Sequence, residues 1–205
     1  MKIIAFAGST LNDIKDFSDI VKKRIGYQLH RVQMGENPND WKPMKGIGKG
    51  VKEIRIKVEN QYRVIYIDVL AYKIYVLHAF IKKSQKTSKR DLEIAKQRLK
   101  EIQTIKGGAM DNKITGSNEN VFKNLGFSAV QSDKLAIKSY LMMQIESFIK
   151  NKGMTQVQAS QLMNVSRPRI SDIMRGKIDK FTIDALVDML TKAGHHITLS
   201  VEHAA

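Results

Sequence analysis

Apolar and polar residues follow two different periods along this 205-residue chain. In the first half they alternate at every second residue, as on a half-buried strand, over three neighbouring segments: 51–58, 61–69 and 73–80. Lys2–Phe6 is a further short apolar strand, and apolar residues at helical spacing predict helices that begin at Thr10 and after Ser88. These elements predict a small α+β domain in which helices pack on an antiparallel sheet.

The second half has helical spacing almost throughout. It predicts four short helices, which glycine or asparagine residues separate: 139–152, 155–163, 166–175 and 182–193. The end of the chain, 195–201, alternates again, with Ile197, Leu199 and Val201 on one side. We therefore predict an all-α domain with a short C-terminal strand.

The two patterns meet near residue 107. Gly107 and Gly108 are adjacent glycines, which end helical order. Met110 follows them and resembles the start of a second reading frame. We therefore predict two domains, residues 1–106 and 118–205, joined by a linker over 107–117.

The net charge of +15 is shared unequally between the two halves. Residues 1–109 contain 23 Lys and Arg against 11 Asp and Glu, whereas residues 110–205 contain 12 against 9. Because contacts to phosphate release condensed counterions, this basic excess indicates a nucleic-acid partner. The chain has no cysteine, and its apolar runs are far shorter than the roughly 18–20 residues of a membrane span. We expect a cytoplasmic protein with no membrane partner, no metal site and no cofactor.

The most specific motif lies at Met154–Lys177, where the spacing predicts a helix-turn-helix. Small Ala159 allows two helices to approach closely, and Ile170 and Ile173 anchor the second helix inward. That helix would enter the major groove, where arginine bridges O6 and N7 of guanine. The candidate DNA contacts are Thr155, Gln156, Ser166, Arg167, Arg169, Ser171 and Arg175.

Two alternatives accompany this motif. Arg169 and Ser171 are equally suited to binding phosphates, which positions a protein on DNA without reading its sequence. The motif as a whole also fits a helical bundle whose arginines are merely solvated.

The predicted strands of the first domain bring basic residues together on one side of the sheet. The residues follow in chain order: Arg55 and Lys57 on one strand, Arg63 on the next, His78 on the third, and Lys82, Lys83 and Lys86 after it. An ordinary amphipathic sheet with one solvated face is the alternative. The glycine-rich segment 46–50 precedes a strand and lacks a Gly-Lys-Ser/Thr ending, so it does not predict a nucleotide-binding loop.

The first half resembles the HigB branch of the RelE toxin superfamily. The resemblance rests on EIRIKVENQYRVIY, followed by LHAFIKKSQKTS and DLEIAKQRL, and it covers roughly residues 1–103. The second half is similar to the HigA-type antitoxins of the XRE helix-turn-helix family. Here the matching residues are NVFKNLGF at 120–127, the helix-turn-helix itself and RGKIDKFTIDALVDML, over 118–203.

The first resemblance implies an endoribonuclease that cuts mRNA on the ribosome and thereby inhibits translation. In such toxins the 2′-OH of the RNA attacks the adjacent phosphate, without a metal or cofactor. The resemblance implies catalytic roles for Arg55, Arg63, His78, Lys82 and Lys83, and RNA binding by Lys45, Lys49, Lys57 and Lys86. His78 has apolar neighbours and is equally suited to a buried structural role. No tyrosine follows Tyr75 in this domain, so a late catalytic tyrosine is absent.

The second resemblance implies that residues 118–205 neutralise the toxin domain and bind operator DNA to repress transcription. It also implies a contact between toxin and antitoxin domains and a homodimer or higher oligomer. The alternative is a DNA-binding transcriptional regulator whose basic, toxin-like first domain is catalytically inactive.

Overall fold

The structure is a computed structural model that describes residues 1–69, 73–84, 87–104, 114–116, 120–198 and 200. The chain forms two compact units, Met1–Ala136 and Ile137–Ala205. Among the described residues, no helix is both long enough and apolar enough to cross a membrane.

The first unit contains a six-stranded sheet and the helices that cover it. Its strands are β1 (Ile3–Ala7), β2 (Trp41–Pro43), β3 (Val51–Lys57), β4 (Gln61–Val69), β5 (Lys73–Ile81) and β6 (Ile114–Gly116). Its helices are α1 (Thr10–Lys15), α2 (Asp19–Gln33), α3 (Lys89–Thr104), α4 (Val121–Asn124) and the start of α5 (Ala129–Asn151). The strands and the α3 helix predicted from the pattern are confirmed, and Ser88 accepts a hydrogen bond from the backbone N–H of Asp91. The helix predicted from Thr10 is two helices, α1 and α2.

The sheet is mixed, so the prediction of an antiparallel sheet is wrong. Its strand order is β2-β3-β4-β5-β1-β6, and β1 runs parallel to β5, while the other neighbours are antiparallel. Local alternation identifies strand residues but not the neighbour of a strand that is distant in sequence. Two helices and three strands separate β1 from β5 along the chain.

Most of the sheet is buried on both faces. On one face, Ala95, Leu99 and Ile102 of α3 pack in a core cluster with sheet residues such as Val51 and Leu77. On the other face, Tyr62 contacts Phe17, which lies between α1 and α2. On the α3 face of the sheet, nearer the other end of the β3–β4 pair, the opposed residues are Arg55 and Arg63 instead of apolar residues.

The second unit is helical. After α5 it contains α6 (Gln156–Leu162), α7 (Arg167–Met174), a 3-10 turn (Ile178–Lys180) and α8 (Ile183–Lys192). The all-α prediction is therefore confirmed for the described part of this unit. The terminal strand predicted over 195–201 is not shown: residues 195–198 and 200 form no strand, and residues 199 and 201 lie outside the described residues.

Candidate nucleic-acid interfaces

Two arginines and a buried carboxylate form a cluster on β3 and β4. Arg55 lies directly across from Arg63, so both side chains project from the same face of the sheet. Glu53 is only 1% exposed, and its Oε1 lies 3.4 Å from Nε of Arg55 and 3.5 Å from Nε of Arg63. Lys42 on β2 is 3.8 Å from the same oxygen. One carboxylate thus holds three cations together, two of which would otherwise repel each other directly.

The two arginines differ in their availability. Arg63 is buried, and its guanidinium donates to the carbonyl of Tyr62 at 2.9 Å and to Oε1 of Gln61 at 2.7 Å. Burial lowers the pKa of Arg63, and the charge of Glu53 opposes that shift. The Arg55 side chain is 36% exposed and, besides Glu53, has Asp40 at 3.6 Å. Arg55 is therefore the more accessible guanidinium of this pair.

His78 is held by protein partners at both ring nitrogens. Its Nε2 lies 2.9 Å from Oδ1 of Asp91, and its Nδ1 lies 3.5 Å from Nη1 of Arg98. Since arginine only donates, Nδ1 accepts and the Nε2–H of the neutral ring donates to Asp91. Burial lowers the pKa of His78, against the opposing effect of Asp91, and the ring stacks on Phe80 with 5.1 Å between centroids. This geometry favours the structural alternative for His78.

A cleft of about 670 Å³ lies at the end of β5, between α1 and the start of α3. Lys82 and Lys83 line it together with His78. Lys82 is half-buried and Lys83 exposed. Two of the five predicted catalytic residues, Arg55 and Arg63, lie outside the residues that line this cleft, but Arg63 is directly paired with Phe80, which does line it. The arginine pair and the cleft are therefore adjacent parts of one surface.

Arg98 connects three elements around this cleft. Its Nη1 donates to Oγ1 of Thr10 at 2.8 Å and to the carbonyl of Leu77 at 3.0 Å, and its Nη2 donates to Oγ of Ser9 at 2.9 Å. The guanidinium lies close against Gly8, where a Cβ would come within 2.8 Å of Nε. Gly8 also has a φ of +55°, which few other residues adopt at low cost. Arg98 thus fixes α3 to β5 and to the turn between β1 and α1.

Three of the four predicted RNA-binding lysines lie toward opposite ends of β3. Lys57 is exposed at the end of β3, and Lys45 and Lys49 are exposed in the segment before that strand. Lys86 lies outside the described residues.

The helix-turn-helix has the inward packing that its spacing predicts. Ala159 on α6 and Ile170 and Ile173 on α7 are completely buried. Thr155 forms a capping box with Gln158 at the start of α6. Of the remaining candidate DNA contacts, some are exposed and some half-buried: Ser166, Arg167 and Arg175 are exposed, and Gln156 and Ser171 are half-buried.

Arg169 folds back onto the protein. Its Nη1 donates to the carbonyl of Lys180 at 2.8 Å, and its guanidinium lies 4.4 Å from the centroid of the Phe181 ring. Asp172, one turn further along α7, pairs with Lys177 at 2.6 Å and with Lys180 at 3.0 Å. Burial raises the pKa of Asp172, but hydrogen bonds from both lysines outweigh it and hold the pKa below its ordinary value. These contacts fasten the segment after α7 to the helix.

Comparison with known protein families finds two matches, one in each half of the chain. Residues 12–100 match the family model described as "Phage derived protein Gp49-like (DUF891)", and residues 121–202 match one described as "Helix-turn-helix domain". The chain therefore contains a segment similar to Gp49-like proteins, followed by a segment similar to helix-turn-helix domains. No curated protein matches it.

The Gp49-like domain holds functional candidates that the sequence did not indicate. Glu53, Asp91 and Arg98 organise the arginine pair and the cleft, yet each looks like an ordinary surface charge in the sequence. The only local signal was Ser88 three residues before Asp91, a spacing that marks a helix start and not a histidine partner. Within the described residues, no group of three or more His, Cys, Asp or Glu side chains is arranged to hold a metal ion.

Proposed function

We propose that this chain is a toxin–antitoxin protein. Its Gp49-like domain is an mRNA endoribonuclease of the HigB type that acts on the ribosome, and its helix-turn-helix domain is a HigA-type antitoxin that neutralises it and binds operator DNA. The observation that carries the proposal is the pair Arg55 and Arg63, fixed by the buried Glu53 beside a cleft with two lysines.

The proposed reaction breaks one phosphodiester bond. The 2′-oxygen attacks the adjacent phosphorus and gives its proton to water, the bond to the 5′-oxygen breaks, and that oxygen takes up a proton from a lysine ammonium at the cleft. The products are a 2′,3′-cyclic phosphate and a 5′-hydroxyl end. No electrons are transferred, so the reaction requires orientation, charge stabilisation and proton transfer only.

The residues of this surface suit different parts of that reaction. Arg55 donates to the non-bridging phosphate oxygens, on which negative charge grows, and Arg63 adds to the positive field from its buried position. The ammonium groups of Lys82 and Lys83, at the cleft, supply donors for the leaving 5′-oxygen. His78 positions Asp91 and the start of α3 in this scheme and does not itself transfer a proton.

The helix-turn-helix domain would place α7 in the major groove. Arg167 and Arg175 are its exposed arginines and are proposed to contact bases or phosphates, with Ser166, Ser171, Thr155 and Gln156 as further contacts. Arg169 is proposed to act indirectly, because its guanidinium is engaged by Lys180 and Phe181. A homodimer would present two such helices to a palindromic operator.

A second candidate function is supported by a specific observation. Both ring nitrogens of His78 and several donors of Arg63 are engaged within the protein. This is what a DNA-binding regulator with a catalytically inactive, basic first domain would show.

One experiment separates the two functions. Residues 1–106 are produced from an inducible promoter in bacteria, and growth and protein synthesis are followed after induction. The toxin proposal predicts arrest of translation by the wild type, loss of arrest in Arg55→Ala, and arrest retained in the control Lys100→Ala on the exposed side of α3. If the wild-type fragment accumulates in folded form and translation continues, the regulator is favoured.

A further inference from the structure

A notch on α2 receives an aromatic side chain from beyond the linker. Gly26 lies in the middle of α2, and a Cβ at this position would come within 2.6 Å of Cδ1 of Phe122 and 3.2 Å of Cδ1 of Leu125. Phe122 and Leu125 are completely buried, as is Val121. The absence of a side chain at Gly26 is therefore what allows α4 to lie directly on α2.

Neighbouring residues of α2 extend this contact in both directions. Lys22 and His30 are four residues before and after Gly26, so the three share one face of the helix. The ammonium of Lys22 lies 5.4 Å from the centroid of the Phe127 ring, and the ring centroid of His30 lies 6.2 Å from that of Phe122. The contact thus covers more than two turns of α2.

The segment that fills the notch is held in its shape by its own hydrogen bonds. The side chain of Asn120 caps α4 by accepting from the N–H of Phe122 at 3.1 Å. Gly126, with a φ of +89°, turns the chain after α4, and Oγ of Ser132 donates to the carbonyl of Phe127 at 3.2 Å. The segment Asn120–Phe127, here called the aromatic turn, is therefore preorganised for binding.

The two sides of this contact come from different parts of the chain. Gly26 lies in the segment that matches the Gp49-like model, and Phe122 lies in the segment that matches the helix-turn-helix model. Both nevertheless belong to the compact unit Met1–Ala136. A second contact lies just before the aromatic turn in the chain, where β6 pairs with β1 through Ala5 and Gly116, Phe6 and Thr115, and Ala7 and Ile114, although both strands lie outside the two matched segments.

We propose that the α2 notch is a docking site for the aromatic turn, and that it holds the Gp49-like and helix-turn-helix parts together without the covalent linker. The recognised feature is a capped helical turn that presents Phe122 to Gly26 and Phe127 to Lys22. Strand addition by β6 contributes backbone hydrogen bonds of low selectivity, whereas the aromatic side chains supply the specificity. The proposal concerns binding and is independent of RNA cleavage.

The test uses the full chain with a protease recognition sequence inserted after Gly108. The purified protein is cleaved, and the association of its two pieces is measured by size-exclusion chromatography over a dilution series. We expect the wild-type pieces to co-elute at micromolar concentration. Gly26→Ala and Phe122→Ala should each weaken the association at least tenfold, whereas Lys123→Ala, exposed on the same α4 helix, should leave it unchanged.

Two features of the design guard against misfolding. Alanine is a better helix former than glycine, so Gly26→Ala does not weaken α2 itself. A weaker association of this variant therefore reports on the contact with the aromatic turn. Circular dichroism of each uncut variant verifies that it is folded before cleavage. The proposal is overturned if the cut wild-type pieces separate at micromolar concentration, or if folded Gly26→Ala and Phe122→Ala pieces associate as tightly as the wild type.

Discussion

Arg55 and Arg63 face each other across β3 and β4, and the carboxylate of Glu53 lies within 3.5 Å of both. Like charges directly opposite on a sheet are destabilising, and Arg63 is in addition buried. The buried glutamate therefore makes this cationic surface compatible with a stable fold, and it fixes the positions of the two guanidinium groups.

Replacing this carboxylate by an isosteric neutral group should destabilise the first unit. In Glu53→Gln the positive charge of buried Arg63 loses its counter-charge, and we expect a loss of about 3 kcal/mol in the free energy of unfolding. Urea unfolding of the full chain, followed by circular dichroism, measures this difference. Glu59→Gln is the control, because Glu59 is exposed in the turn between β3 and β4. Equal stability of the two variants would contradict a structural role for Glu53.

The stability of the first unit should decrease as the pH falls below about 6.5. Burial lowers the pKa of His30 to about 4 from its ordinary 6.5, so the unfolded chain binds a proton that the folded chain resists. The contribution of His30 to the free energy of unfolding is complete above pH 6.5. It decreases by about 3 kcal/mol in total as the pH falls toward 4. His78 adds a change of the same sign, because burial also lowers its pKa.

The part of this pH dependence that belongs to His30 can be isolated by mutation. His30→Leu should flatten the curve of unfolding free energy against pH between 6.5 and 4, whereas His196→Asn, at an exposed position, should leave it unchanged. A His30→Leu curve as steep as that of the wild type would show that the slope arises elsewhere.

Arg167 and Arg169 should have different effects on DNA binding although they are two residues apart. Arg169→Ala removes a hydrogen bond to Lys180 and a cation–π contact with Phe181, so we expect a loss of about 1–2 kcal/mol in stability. Arg167→Ala should leave stability unchanged, because that side chain is exposed, and should reduce discrimination between operator and unrelated DNA by about 1–3 kcal/mol. Thermal unfolding and fluorescence anisotropy with the two DNAs measure these quantities. Similar losses of discrimination, with stability unchanged in both variants, would place Arg169 at the DNA.

The sequence predicted those features that depend on local periodicity. Alternation identified β3, β4 and β5, and the spacing of Ala159, Ile170 and Ile173 identified the helix-turn-helix core. Local pattern does not specify partners that are distant in the chain. Arg98 bonds to Thr10 across 88 residues, and no periodicity relates the two. The parallel neighbour of β1 was missed for the same reason.

Long side chains are a second reason why the structure differs from the sequence prediction. Helical spacing places Arg169 on the outer side of α7, but its guanidinium reaches the carbonyl of Lys180 and the ring of Phe181. The Cβ direction that a pattern predicts therefore does not determine where a flexible charged group ends. His78 shows the same limit, since its pairing with Asp91 depends on the position of α3 relative to β5.

The ends of cleaved RNA test the central proposal most directly. Purified residues 1–106 are added to a reconstituted translation system, and the 5′ ends of the mRNA are mapped and tested for phosphorylation. We expect cuts on ribosome-bound mRNA that leave 5′-hydroxyl ends, and at least a hundredfold slower cutting by folded Arg55→Ala, as for loss of one preorganised charge donor. Intact mRNA with the folded wild-type domain, or equal cutting by Arg55→Ala, would contradict the proposal.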